Sequence, residues 1–199
     1  MQTPFPLPDK TSITGLILAG GQAKRFNNQD KGLICLKEKP LIEYTIERLK
    51  PQTSRIMISA NRNLSAYQGY GLPVIQDEQD DYPGPLAGLL AGLKNMQTDW
   101  LQCVPCDNPW LEQDIVDQLS HHITPGCLLA IPRWQQRLQP VYSLMHRTVV
   151  ESLTLFLQQG HRKAQQWVEQ QNHCVVDFPD QANFANINSP DDLQRAEQL

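Results

Sequence analysis

The sequence predicts an α/β layered domain with a mostly parallel central sheet, and three features predict it. Short apolar runs bounded by turn residues alternate along the chain with segments whose apolar residues recur at helical spacing. The first run, Gly15-Leu-Ile-Leu-Ala19, is rich in aliphatic residues and breaks into Gly20-Gly21 and a polar, basic loop, the pattern of a buried strand ending in a turn. Later strand candidates also end in residues able to carry chemistry, namely Asn61 and Arg62, Asp77, and Asp107.

Taken in order, residues 33–36 are a short extended piece. Pro40 then stands where a helix begins, Leu41, Ile42, Tyr44, Ile46 and Leu49 form its amphipathic face, and Pro51 stops it. Residues 55–59 and 73–75 are the next strands. The turn at residues 81–88 runs into a helix with Leu86, Leu89, Leu90 and Leu93 on one face. An apolar strand at 100–104 is closed by Pro105-Cys-Asp-Asn-Pro109, and a helix follows over 112–121. Strand candidates at 127–131 and 141–145 flank a polar turn at 134–137, which suggests a hairpin. Helical stretches at 149–158 and 163–170 precede a strand at 174–178. In the last helix Ser189 is the cap, Pro190 suits the first position, and Asp191 and Asp192 complement the helix dipole.

With 199 residues the chain is long enough for one substantial core, and residues 13–199 are expected to form a single domain behind a loose Pro-rich extension at 1–12. A net charge of -4 excludes the basic excess of a general nucleic-acid binder, so any anion site must be local. Residues 1–12 lack an apolar signal-peptide core and no apolar span is long enough for a bilayer, so no membrane partner is expected. Five cysteines without framework spacing fit reduced thiols in a cytoplasmic protein.

The candidate chemistry gathers at the strand ends. In open α/β sheets ligands bind beyond the carboxyl ends of the strands. There Gly20 and Gly21 remove Cβ atoms that would keep a ligand from backbone N–H groups, and Lys24, Arg25 and Lys31 supply charge for a polyphosphate. A glycine turn with solvated charges is the competing reading of that stretch alone. Asp77 and Asp107 add carboxylates of the kind a hard cation needs, which suits a nucleotide bound with Mg²⁺, and Asp107, between two prolines, is the first choice of metal ligand. The loop is neither a Walker A sequence nor a Gly-x-Gly-x-x-Gly fingerprint. Cys103-Val-Pro-Cys106 has no second pair to complete a zinc site and reads as buried strand thiols.

Leu18-Ala-Gly-Gly21, Arg25, Asp30-Lys31-Gly32, Pro83-Gly-Pro-Leu-Ala-Gly88, Pro105-Cys-Asp-Asn-Pro109 and Asn186-Ile-Asn188 stand in the order and at the spacing of a known family. On these residues the chain resembles the molybdenum cofactor guanylyltransferases over nearly its whole length from Ile13. The first motif is shared by many nucleotidyltransferases, whereas the Pro-Gly-Pro-Leu-Ala-Gly and Pro-Cys-Asp pair is more specific. The resemblance implies a three-layer Rossmann-like nucleotidyltransferase that moves GMP from GTP onto the terminal phosphate of molybdenum-molybdopterin and releases pyrophosphate. It also implies molybdenum-inserting proteins and molybdoenzyme chaperones as partners.

Position by position, the resemblance implies that Leu18, Ala19, Gly20, Gly21 and Lys31 hold GTP, that Ser59 and Asp77 contact the nucleotide, and that Asp107 binds both Mg²⁺ and GTP. Arg25 joins Lys31 on the phosphates, Asn186 and Asn188 match a pair near the reacting phosphates, and Gly84 and Gly88 match a segment on the pterin side. The chain departs from the family in having Ser59 where Asn is usual and Phe26-Asn27 where Met-Gly is common. Phe26 can replace Met as a core plug, and Asn tolerates left-handed backbone angles. Two rival readings keep the same loop: a related enzyme using CTP on a pterin cofactor or another phosphate acceptor, and a non-catalytic nucleotide-binding adaptor.

Overall fold

In chain order the elements are β1 (Ile13–Leu18), a small ribbon of β2 (Cys35–Leu36) and β3 (Lys39–Pro40), α1 (Leu41–Leu49), β4 (Arg55–Ser59), α2 (Leu64–Gln68) and β5 (Val74–Ile75). Then come α3 (Pro85–Asn95), β6 (Trp100–Pro105), α4 (Ile115–His121), β7 (Leu129–Trp134), β8 (Arg137–Leu138) and β9 (Leu144–His146). The chain finishes with α5 (Val150–Gln158), α6 (Ala164–Val168), β10 (His173–Asp177) and α7 (Pro190–Glu197). This computed structural model describes residues 6–19, 26, 29–77, 84–179 and 184–198.

The main sheet runs β10-β7-β9-β6-β1-β4-β5, with β8 paired to β7. β1 is buried because it is paired on both edges, parallel to β4 and parallel to β6, and covered on both faces. Its sequence, largely aliphatic and without a charged residue, is what a strand with no solvent side requires. The β4/β5 and β7/β10 pairs are also parallel, and β9 runs antiparallel to both β6 and β7, so the sheet is mostly parallel.

Two apolar layers sandwich it. Ile42 and Leu49 of α1, Tyr67 of α2 and Ile115 and Leu119 of α4 pack on one face with Ile13 and Ile17. Leu86 and Leu93 of α3, Phe156 of α5 and Trp167 of α6 pack on the other with Leu16 and Met57. Phe26 is buried in a third cluster with Leu36, Leu41, Ile187 and Ala196, as a core plug would be. The alternation of strands and helices thus becomes three layers, because a fully buried parallel sheet must be covered on both sides.

Local rules account for most boundaries. α1 ends just before Pro51, whose missing N–H and ring cannot continue it. Ser189 accepts the Asp192 N–H and caps α7, with Pro190 at its first position. The hairpin is tighter than the sequence suggested. Gln135 and Gln136, both at positive φ (48° and 62°), join β7 directly to β8, and β9 begins only at Leu144, after a 3₁₀ turn over Pro140–Tyr142. α2 was not anticipated, since five residues with one buried side chain leave no period to read. In the Pro-rich start, Asp9 caps a 3₁₀ turn over Lys10–Ser12 and the Pro6 carbonyl accepts from Trp100 Nε1 at 3.2 Å.

The expectation of five reduced thiols requires correction. Cys127, just before β7, and Cys174 in β10 form a disulfide with their Cα atoms 6.3 Å apart, leaving Cys35, Cys103 and Cys106 free. The partners are 47 residues apart and meet only because β7 and β10 pair, so local spacing carries no sign of the bond. Cys103 and Cys106 are buried, and burial pushes both thiols up from their ordinary range. No helix among the described residues is long and apolar enough to cross a membrane.

Ile17 is fully buried at the centre of the sheet, whereas Leu155 on α5 is 58% exposed. Ile17→Ala is expected to lower unfolding stability in urea by about 2–5 kcal/mol, and Leu155→Ala to change it by no more than about 0.5 kcal/mol. Equal losses for the two would contradict the assignment of β1 to the core.

Candidate active site

β4 and β5 lie to one side of β1 and β6 to the other, and the carboxyl ends of all four strands face the same way. A crevice opens where strand order reverses like this. The structure has a cavity of about 390 Å³ there, lined at the strand ends by Leu18, Ala19, Ser59, Asp77 and Asp107. Lys31, Gly84, Gly88, Asn186 and Asn188, from segments far apart in sequence, also line it. The fold therefore brings together ten residues that the sequence singled out. Gly20, Gly21 and Arg25 lie outside the described residues.

Asp107 is the electrostatic centre of the cavity. It is buried, and Lys31 Nζ donates to its Oδ2 at 3.1 Å. Its Oδ1 is also buried and has no hydrogen-bond partner among the described residues. Burial pushes the Asp107 carboxyl up from the ordinary range, and the Lys31 ammonium works against that rise. Lys31 also donates to Asn188 Oδ1 at 2.6 Å, and Asn188 Nδ2 donates to the Asn186 carbonyl at 3.3 Å. The Ile187 N–H donates to the Asp107 carbonyl at 2.9 Å, which ties the 186–188 loop to the end of β6.

Neighbouring positions are held as firmly. The Ala19 N–H donates to the Ser59 carbonyl at 2.8 Å and the Cys106 N–H to the Leu18 carbonyl at 3.1 Å, so the pairing of β1 with β4 and β6 runs up to the cavity wall. Asn61 clamps Asp77 from both sides: Nδ2 donates to Oδ2 at 2.7 Å, and Oδ1 accepts the Asp77 N–H at 3.1 Å. Gly84 starts α3 at φ 83°, a left-handed angle, and Pro85 follows at the first helical position. A Cβ on Gly88 would lie 2.6 Å from Ser59 Oγ, so glycine there lets α3 approach the end of β4.

Sequence reading missed the residues that hold this set in place. Tyr67 donates to Asp30 Oδ1 at 2.5 Å and Asn63 Nδ2 to Oδ2 at 3.3 Å, which fixes the segment that delivers Lys31. Both come from the unanticipated α2 and its N-terminal flank. Tyr142 bridges Asn108 and Asn186 in the same way. A buried tyrosine in an apolar run reads as core, and no local pattern reveals its hydroxyl's partner.

The model of the MobA-like NTP transferase domain matches residues 15–175. The chain belongs to the MobA-like NTP transferase family. A protein of Vibrio parahaemolyticus named molybdenum cofactor guanylyltransferase is 44% identical over 190 residues, covering 95% of this chain and 97% of that one. Another so named, from Cupriavidus pinatubonensis, is 44% identical over 194 residues, covering 94% and 98%. The crystal structure of molybdopterin-guanine dinucleotide biosynthesis protein A from Archaeoglobus fulgidus superposes with a TM-score of 0.75 at 25% identity, covering 93% of this chain and 97% of that one. A Mycobacterium tuberculosis protein crystallised in complex with manganese has the same fold, with a TM-score of 0.68 at 16% identity, covering 94% and 99%.

The cavity gathers a buried carboxylate, an ammonium group and two asparagines. The unpartnered Asp107 Oδ1 is a hard donor in a buried position, which fits a divalent cation. No three His, Cys, Asp or Glu residues converge as a metal cage among the described residues.

Because burial outweighs Lys31 at Asp107, the folded protein keeps a proton there at a pH where the unfolded chain has released it. Stability therefore falls as pH rises from the unfolded pKa, about 3.9, through the raised folded one. Asp107→Asn, without nucleotide or metal, is expected to melt at or above the wild-type temperature at pH 7, with the difference vanishing near pH 4. A variant melting several degrees lower at pH 7 would show that the Lys31 pair dominates.

Proposed function

We propose that this chain transfers GMP from GTP to the terminal phosphate of molybdenum-molybdopterin, forming the guanine dinucleotide form of the cofactor and releasing pyrophosphate. The observation that carries the proposal is the cavity, which joins Lys31 and Asp107 to Asn186 and Asn188, in a chain 44% identical to guanylyltransferases over 95% of its length. The catalytic unit is residues 13–199, acting in the cytoplasm. Molybdenum-inserting proteins and molybdoenzyme chaperones deliver its substrate and receive its product.

The acceptor phosphate attacks the α-phosphorus in line, forming a P–O bond as the bond to the α,β-bridging oxygen breaks. A phosphate monoester oxygen is already anionic, so the protein's task is to position and to neutralise charge rather than to remove a proton. Leu18, Ala19, Gly20 and Gly21 offer backbone groups to the triphosphate. Lys31, steered by Asn188, and Arg25 offset the charge on the departing pyrophosphate. Asp77, clamped by Asn61, and Ser59 contact the nucleotide, and the segment carrying Gly84 and Gly88 meets the pterin. Asp107 would hold the divalent ion, Mg²⁺, which would supply positive charge to phosphate oxygens. The manganese bound by a protein of the same fold supports a divalent ion.

Asp107→Ala is expected to lower pyrophosphate release from GTP, Mg²⁺ and molybdenum-molybdopterin by at least about 100-fold while the fold persists by circular dichroism. Wild-type turnover in that variant would refute the metal assignment. Lys31→Ala is expected to weaken GTP binding about 10-fold or more by calorimetry. It also removes the charge that opposes the rise at Asp107, so the acid limb of residual activity should move to higher pH. With Mg²⁺ present, GTP is expected to raise the melting temperature more than CTP or ATP at equal concentration, since only ligands that bind the folded state stabilise it. A larger shift with CTP would reassign the nucleotide.

A further inference from the structure

One buried polar group beside the cavity has no part in this chemistry. Tyr142, in the 3₁₀ turn between β8 and β9, is 1% exposed, and its hydroxyl lies between two asparagines. Asn108 Nδ2 donates to Tyr142 Oη at 3.0 Å, and Tyr142 Oη donates to Asn186 Oδ1 at 2.5 Å. Asn108 adjoins Asp107, and Asn186 lines the cavity.

The direction of this chain is set at its far end. The Trp110 backbone N–H donates to Asn108 Oδ1 at 3.0 Å, and only an amide oxygen can accept it. Asn108 must therefore turn its NH₂ toward Tyr142. A phenol has one proton, and burial pushes this one's pKa well above the ordinary tyrosine range, so the hydroxyl stays protonated. Having accepted from Asn108, it gives its proton to Asn186 Oδ1. With its oxygen committed to Tyr142, the Asn186 amide has its NH₂ left over, on a residue that lines the cavity. Asn188, by contrast, uses its oxygen on Lys31 and its NH₂ on the Asn186 carbonyl.

We propose that Tyr142 is a positioning residue that locks the Asn186 side-chain amide with its NH₂ aimed into the cavity, as a donor to an anionic phosphate oxygen of the bound substrates. The two asparagines of the loop then have different tasks: Asn188 steers a cation, and Asn186 supplies a neutral donor whose orientation originates at the Trp110 amide. Without the hydroxyl the Asn186 amide can rotate, and its oxygen would face the phosphate as a repulsive dipole. The proposal rests on the guanylyltransferase reading for the identity of the phosphates, though not for the direction of the hydrogen bonds.

The test is a double-mutant cycle of Tyr142→Phe and Asn186→Ala, read as kcat and as KM for GTP and for molybdenum-molybdopterin, with GTP affinity by calorimetry and melting temperature alongside. Asn186→Ala is expected to cost about 10- to 100-fold in kcat/KM, the worth of one hydrogen bond to a charged group. Tyr142→Phe is expected to cost about 10-fold, and the double variant no more than Asn186→Ala alone, because Tyr142 acts through Asn186. Whichever substrate's KM rises identifies the phosphate contacted, and a loss in kcat alone places the contact in the transition state. Multiplicative losses, or wild-type kcat/KM in Tyr142→Phe with or without a lower melting temperature, would overturn the relay. Should Tyr142→Phe fail to fold, Asn186→Asp decides the matter: it keeps an acceptor for Tyr142 but turns a carboxylate oxygen on the phosphate. It is expected to weaken GTP binding or turnover about 10-fold or more, and wild-type behaviour in both would refute the donor role. If the wild-type protein releases no pyrophosphate, the guanylyltransferase reading fails, and the calorimetric comparison of the same variants still decides the relay.

Discussion

A carboxylate buried at the end of a central strand is costly unless a cation answers it, and the arrangement around the cavity depends on how Asp107 is answered. One oxygen meets Lys31 and the other meets nothing among the described residues. Lys31 reaches Asp107 from 76 positions earlier in the chain, and its segment is anchored because Asp30 is tied to Tyr67 and Asn63. From the other side, the loop before α7 brings Asn188 onto Lys31 and the Ile187 N–H onto the Asp107 carbonyl. Segments from both ends of the sequence thus converge on one charge pair.

The sheet makes that convergence possible. β1 pairs with β4 on one edge and β6 on the other, so the carboxyl ends of the strands open on the same side. Parallel strands need crossover helices, and those helices bury both faces of the sheet, leaving the strand ends as the place where polar groups can gather around a ligand. Asp77 and Asp107 stand at those ends, and Gly88 allows α3 to close one wall against Ser59. A site that leaves a hard oxygen donor unpartnered is prepared for charge that arrives with the substrate. For a nucleotidyl transfer, in which the nucleophile is already anionic, such prearranged charge is the main contribution a protein can make.

Much of this was legible in the chain itself. The apolar runs of the strands, the helical patterns and the prolines that stop α1 and start α7 follow from rules acting over a few residues. The candidate site residues were legible too, since chemistry at a strand end needs particular residue types there, and the ten within the described residues line one cavity. What could not be read are contacts between distant segments. The Cys127–Cys174 disulfide needs β7 beside β10, α2 is too short for a period, and Tyr67 and Tyr142 look like core until their hydroxyls find Asp30 and Asn186.

The sequence by itself determined the class of fold, the order of its elements and the residue types available for chemistry, because propensity, periodicity and turn formation are local. Only the tertiary structure decided which oxygen of Asp107 is answered and which is not, which asparagine steers Lys31, and which way the Asn186 amide points. Those are matters of ångströms between groups that the chain separates by tens of residues, and a hydrogen bond forms only where packing brings donor and acceptor within about 3 Å and in line.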